Sequence, residues 1–68
     1  MNRVFVYIRN IEEKEWSIVS IDIDMPVKTF LNEWMKGDFG LGIYDVELEC
    51  VLSSTFRMVA HGDHLVIF

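Results

Sequence analysis

Hydrophobic and polar residues alternate along the first part of the chain, and this alternation predicts two β-strands. In the segment RVFVYIR, Val4, Val6 and Ile8 share one face, while Phe5 and Tyr7 point to the other. The polar stretch NIEEKE is long enough for a hairpin loop, and the segment WSIVSIDIDM then alternates again. We therefore predict a hairpin whose two strands share one apolar face.

The period of the pattern changes from two to about 3.6 at Pro26, which indicates a helix. Large apolar residues now recur at helical spacing, as Val27, Phe30, Leu31, Trp34 and Met35. Pro26 suits the first turn of a helix, and the glycine at position 37 is typical of a helix end. We therefore predict a helix over about residues 26–36, with its apolar stripe packed into the core.

The second half of the chain begins with a glycine-rich stretch, GDFGLGIYD, which predicts a loop. The segment VELECVL alternates and is predicted to be a strand with Leu48 and Cys50 on its apolar side. The segment TFRMV fits either a short strand or a tight helical turn, and both interpretations stay open. The final segment HLVIF alternates and predicts the closing strand.

A single helix is too small to cover both faces of a sheet, so the order of elements predicts an α+β fold. We predict that residues 1–68 form one domain, in which one mixed four- to five-stranded sheet carries a single helix across one face. The last strand is expected to insert beside the first. The residues expected to point towards the helix are Val4, Val6, Ile8, Val19, Ile21, Ile23, Leu48, Cys50, Leu65 and Ile67.

Composition and charge restrict the classes of partner. The chain carries a net charge of −5, and its six lysines and arginines do not cluster. Nucleic acids and anionic membrane surfaces are bound largely through basic side chains, so neither is an expected partner. No apolar run approaches the length of a membrane span, and the N-terminal segment lacks the pattern of a signal peptide. We therefore expect a cytoplasmic protein.

Candidate catalytic and metal-binding groups are few. Cys50, the single cysteine, lies between apolar neighbours on its predicted strand, so a buried structural role is expected. His61, Asp63 and His64 in the stretch HGDH could together hold a metal ion, but the stretch is more typical of a surface turn. We expect no enzyme activity, no cofactor, no metal site and no small-molecule substrate.

The order of elements resembles the ubiquitin-like β-grasp superfamily. A hairpin begins almost at Met1, one helix follows the second strand, and a Gly-Asp turn leads into the closing strand. The start of the helix, with Pro26, Val27 and Lys28 and a later Trp34, is similar to the small YukD-type proteins associated with type VII secretion. This resemblance implies a secretion-system accessory subunit.

The end of the sequence differs from the conjugating members of that superfamily. Ubiquitin and the sulfur carriers of this fold act through a flexible tail that ends in Gly-Gly. Here the last residue is Phe68, within the predicted closing strand. We therefore expect the fold without the C-terminal conjugation chemistry.

The face of the sheet opposite the helix is expected to be apolar, although an open face in a monomer is typically polar. Phe5, Tyr7, Val66 and Phe68 point to this face, and they are expected to adjoin because the first and last strands are neighbours. We predict that these four residues bind a protein partner or a second copy of the chain, giving an oligomer. An alternative in which TFRMV or the glycine-rich loop covers this face stays open.

A second functional hypothesis uses the acidic side chains of Glu12, Glu13, Glu15, Asp22 and Asp24. In that case the chain is a small acidic inhibitor of the phage type, which occupies a basic site on a host enzyme. Salt distinguishes the two hypotheses, because contacts between charged surfaces are screened by salt and apolar contacts are not.

Overall fold

The computed structural model describes residues 2–35 and 42–68, and in that part of the chain it shows an α+β fold. The elements are β1 (Arg3–Asn10), β2 (Ser17–Asp22), α1 (Val27–Met35), β3 (Ile43–Asp45), β4 (Cys50–Val51) and β5 (His64–Ile67). The strands form one mixed sheet in the order β2-β1-β5-β3-β4, in which β1 and β5 are parallel and the other pairs are antiparallel. The predicted class, the mixed sheet and the insertion of the last strand beside the first are confirmed.

Helix α1 begins where the period of the sequence changes. The Pro26 carbonyl accepts the Phe30 N–H at 3.1 Å. The Val27 N–H has no acceptor within the helix and donates instead to the Ser54 carbonyl at 2.8 Å, so another segment satisfies this amide of the first turn. The predicted end of the helix at Gly37 lies outside the described residues. In the described part of the chain, no helix has the length and apolar character that a bilayer crossing requires.

The core lies between α1 and the inward face of the sheet. Its members are Val6, Ile8, Ile21, Val27, Leu31, Ile43, Leu52, Phe56, Val59, Leu65 and Ile67, with Val4, Val19, Ile23, Phe30 and Met35 packed against them. The helical stripe is therefore in the core except for Trp34, whose predicted burial is wrong. Trp34 is 38% exposed and stacks on Phe30 at the edge of the core, with ring centroids 5.6 Å apart.

The predicted strand over VELECVL is wrong, because most of this segment is a turn that joins two short paired strands. Strand β3 occupies Ile43–Asp45, in the stretch predicted to be a loop, and residues 46–49 form the turn before β4. Glu49 has a φ of 55°, a left-handed conformation that breaks the alternation. As a result Leu48 and Cys50, both predicted to be inward, are exposed.

The segment TFRMV is neither a full strand nor a helix. Thr55 makes a single bridge to Pro26, and a turn follows in which the Val59 N–H donates to the Phe56 carbonyl at 3.0 Å. Phe56 is fully buried, and its ring meets the edge of the Phe30 ring at 5.4 Å. This segment therefore completes the core beside the helix and does not cover the open face of the sheet.

Candidate interaction surface and buried carboxylates

Five ring-bearing residues pack against one another on the open face of the sheet. We call them the aromatic–histidine cluster, and its members are Phe5, Tyr7, Trp16, His61 and His64. Tyr7 stacks on His64 with centroids 4.8 Å apart, and Trp16 meets the edge of the same imidazole at 4.9 Å. Phe5 lies 5.2 Å from His61 and 6.3 Å from Tyr7. Phe5 is 44% exposed and Trp16 39%, so the cluster presents aromatic surface to solvent.

The turn that contains both histidines is held against β1 by backbone hydrogen bonds. The Gly62 N–H donates to the Phe5 carbonyl and the Tyr7 N–H to the Asp63 carbonyl, both at 2.9 Å. Gly62 has a φ of 85°, a conformation that glycine adopts at little cost. The His61 Nδ1 accepts the Phe5 N–H at 3.2 Å. The two histidines are thus placed on the sheet face by the turn, and they do not converge with Asp63 into the triad considered from the sequence.

Arg9 anchors the edge of the cluster to the hairpin loop. Its guanidinium carbon lies 4.9 Å above the Trp16 ring, a cation–π geometry. Its Nη1 donates to the carbonyl of Asn10 at the end of β1 and to two loop carbonyls, the shortest contact being 2.7 Å to Glu13. The position of Trp16 is therefore restrained from both sides, by Arg9 and by His64.

The four residues predicted to form one binding patch are divided into two groups. The parallel register of β1 and β5 places Tyr7 opposite His64, so Val66 lies opposite Arg9 instead. Phe68 exchanges backbone hydrogen bonds with Gly42, at 3.4 and 3.1 Å, just before the start of β3. Phe5 and Tyr7 belong to the aromatic–histidine cluster, whereas Val66 and Phe68 lie on the β3 side of the sheet.

Two exposed apolar residues extend these groups beyond the four predicted. Ile18 lies opposite Tyr7 on β2 and is 66% exposed. Val51 lies opposite Tyr44 on β4 and is 52% exposed. The alternation of the sequence also directs Ile18 and Val51 away from the core, in agreement with their exposure.

The acidic residues of the second hypothesis lie at opposite ends of β2. Glu12, Glu13 and Glu15 are in the hairpin loop before the strand. Asp22 is the last residue of the strand and Asp24 follows it, so about 20 Å of strand separates the two groups. Several also have local partners. Glu13 Oε1 accepts the Asn10 N–H at 2.9 Å, and Asp24 Oδ1 pairs with the Arg57 guanidinium at 2.6 Å. The fold does not bring these carboxylates into one patch.

Three other carboxylates meet where β3 ends and β5 begins, because the two strands are antiparallel neighbours. We call Asp45, Glu47 and Asp63 the carboxylate cluster; one oxygen from each lies within 4.8 Å of the others. Asp45 is fully buried and Asp63 is 6% exposed, whereas Glu47 is at the surface. Glu47 receives the His64 backbone N–H at 2.7 Å and contacts its Nδ1 at 2.8 Å.

The pKa values of Asp45 and Glu47 are shifted in opposite directions by their surroundings. The pKa of Asp45 is raised to about 6, chiefly by desolvation and next by the adjacent Asp63 carboxyl, while the Leu48 N–H opposes the shift. The His64 backbone N–H lowers the pKa of Glu47, and the His64 ring lowers it further. Sequence reasoning missed Asp45, because a carboxylate at the inward position after Ile43 is rare in a core.

Cys50 lies at the surface rather than in the core. It borders a shallow groove of about 270 Å³ that is lined by residues 50–55 with residues 57 and 58. Its exposure follows from the turn at Glu49, which leaves β4 with only two residues and ends the predicted alternation. The expected burial of this cysteine is therefore wrong.

No protein-family model, curated protein or solved structure matches this chain at a significant level.

Proposed function

We propose that this protein is a non-enzymatic protein–protein interaction module that binds through the open face of its sheet, with Phe5 and Tyr7 at the centre of the contact. The observation that carries the proposal is the exposed aromatic–histidine cluster on the side of the sheet opposite the core. Aromatic side chains at the centre of a surface patch are the residues that most often supply binding energy.

The packing within the cluster favours binding for a second reason. A side chain that must be immobilised on association costs about 0.5–1.5 kcal/mol. Trp16 is already restrained by Arg9 and His64, and Phe5 packs against His61. The aromatic anchors therefore lose little freedom when a partner covers them, so more of the apolar burial contributes to affinity.

The ubiquitin-like β-grasp assignment forms part of this proposal. The parallel pairing of β1 with β5 supports it, because the resemblance requires the first and last strands to be neighbours. Ubiquitin binds partners through its open sheet face, which agrees with the surface proposed here. The narrower proposal, an accessory subunit of a secretion system, rests on Pro26, Val27, Lys28 and Trp34 of the YukD-type resemblance alone.

The test compares substitutions on the open face with one elsewhere. Phe5→Ser and Ile18→Lys alter exposed side chains and should leave the far-ultraviolet circular dichroism unchanged. We expect each to weaken association by 10-fold or more, measured by sedimentation velocity for self-association and by quantitative pull-down for a partner. Met58→Lys is the matched control, because Met58 is 74% exposed but lies in the turn beside the helix.

Two results would contradict the proposal. If Phe5→Ser and Ile18→Lys bind as the unmodified protein does, the open face is not the contact. If binding is lost steeply between low and high salt while these variants have no effect, contacts through charged groups are favoured and the acidic-inhibitor hypothesis takes precedence.

A further inference from the structure

The carboxylate cluster contains a buried oxygen without a hydrogen-bond donor. Asp45 Oδ1 accepts the Leu48 N–H at 3.1 Å, but Oδ2 has no partner among the described residues. The Asp45 carboxyl lies beside the carboxyls of Glu47 and Asp63, whose oxygens cannot donate while they are ionised. A buried anionic oxygen in this state costs free energy unless a proton or a cation satisfies it.

We propose that the carboxylate cluster binds a hard divalent cation, with Ca²⁺ the best fit, between Asp45, Glu47 and Asp63. Carboxylate oxygens are the ligands that such ions prefer. Ca²⁺ takes oxygen ligands at about 2.3–2.6 Å in flexible geometry, so small side-chain adjustments bring three oxygens that lie within 4.8 Å of one another onto one ion. Mg²⁺ demands near-ideal octahedral geometry at about 2.0–2.1 Å and gives up its water reluctantly, so it fits this site less well.

Backbone hydrogen bonds hold the three carboxylates in position without an ion. The Ala60 N–H donates to Asp63 Oδ2 at 3.2 Å, as the Leu48 N–H does to Asp45 and the His64 N–H to Glu47. Glu47 Oε2 also contacts the His64 Nδ1, and its second lone pair stays available to an ion. Little rearrangement is therefore needed when a cation enters.

The affinity should be modest because the protein supplies only three ligand groups. The two aspartates are buried and Glu47 is at the surface, so water completes the coordination from the Glu47 side. We expect a dissociation constant in the range of weak protein Ca²⁺ sites, about 10⁻⁴–10⁻³ M. His64 is the basic group that contacts the cluster in the described part of the chain, and it contacts Glu47 rather than the buried aspartates.

The experiment is a titration of ¹⁵N-labelled protein with CaCl₂ at pH 7, followed by ¹H–¹⁵N correlation spectra. We expect saturable shifts centred on the amides of Leu48, Ala60 and His64, which donate to the three carboxylates. Substoichiometric Mn²⁺, a paramagnetic probe, should broaden the same amides first. Shifts or broadening centred on the hairpin loop at residues 11–16, or shifts that never saturate, would overturn the proposal.

Isosteric variants test the ligands one at a time. Asp45→Asn and Asp63→Asn each keep an oxygen for the backbone donor, and each should weaken Ca²⁺ binding by at least 10-fold. Glu12→Gln removes one exposed carboxylate from the hairpin loop and should bind as the unmodified protein does. Unchanged binding in Asp63→Asn would refute the site. If an asparagine variant does not fold, the pattern of Mn²⁺ broadening in the unmodified protein decides whether the site exists. That result does not depend on whether the open face binds a partner.

Discussion

His64 is the residue that connects the aromatic–histidine cluster with the carboxylate cluster. Its ring stacks on Tyr7 on the open face, and its Nδ1 lies 2.8 Å from Glu47 Oε2. Its backbone N–H donates to the other oxygen of the same carboxylate. A change that displaces Glu47 is therefore expected to alter the packing of Tyr7, because the His64 side chain contacts both residues. His64 thus has a structural role that its place in a surface turn did not indicate.

At the same scale, Asp45 determines how the stability of the fold responds to pH in metal-free buffer. Burial raises the pKa of Asp45 in the folded chain to about 6, above the value of about 3.9 expected in the unfolded chain. The folded state thus binds the proton more tightly. The contribution of this group is fully present below about pH 4 and is lost as the pH rises through about 6.

We therefore predict that Asp45→Asn increases the free energy of unfolding by more at pH 7 than at pH 4. The gain should be of the order of 2 kcal/mol, since asparagine keeps the acceptor for Leu48 and carries no charge to bury. Urea denaturation at both pH values, with a chelator present, measures it. Glu12→Gln is the control and should show no such difference. An Asp45→Asn variant that is relatively less stable at pH 7 would show that the buried charge is not unfavourable.

At the scale of elements, the turn between β3 and β4 decides which side chains of the second half are exposed. Glu49 adopts a φ of 55°, where a side chain meets steric resistance that glycine avoids. This one residue separates Asp45, which is inward, from Cys50, which is exposed although an unbroken strand would bury it.

Glu49→Gly should increase the free energy of unfolding by about 0.5–1 kcal/mol, because glycine relieves the left-handed strain. Glu49→Ala removes the same charge and most of the side chain but keeps the Cβ atom, so it should show no comparable gain. Chemical denaturation of the two variants isolates the backbone effect. Equal stabilities of Gly and Ala at this position would mean that the turn is not strained.

The same elements show how far the sequence predicts the structure. The hairpin, α1 and β5 follow from their periodicity, because each is long enough to repeat its pattern within one environment. Strands β3 and β4, with three and two residues, are too short to establish a period. The turn at Glu49 also lacks the glycine or asparagine that would have marked it.

Register is the other property that alternation leaves open, and it decided the composition of the candidate surface. A shift of two residues between neighbouring strands keeps every side chain on its own face. The outward direction of Phe5 and Tyr7 could therefore be predicted, whereas their pairing with His61 and His64 rather than Val66 could not. The buried aspartates escaped prediction because their burial depends on contacts between segments distant in sequence.

At the scale of the whole molecule, an irregular segment completes the core. The Phe56 N–H donates to the Ile23 carbonyl, and Thr55 bridges Pro26, so this segment is joined to the start of α1. Phe56 is fully shielded from solvent, and among the described residues it is the bulkiest of the completely buried side chains. A helix of nine residues covers only part of the sheet, and Phe56 fills space beside it.

Phe56→Ala should therefore destabilise the fold severely. Truncation of a buried phenylalanine costs about 3–5 kcal/mol, and a chain of this length has a total stability of only about 3–10 kcal/mol. At roughly 4–8 °C per kcal/mol, the melting temperature should fall by about 12 °C or more, measured by circular dichroism. Met58→Ala, two residues away and exposed, should stay within about 0.5 kcal/mol of the unmodified protein. A small shift for Phe56→Ala would mean that α1 and the sheet form the core without this segment.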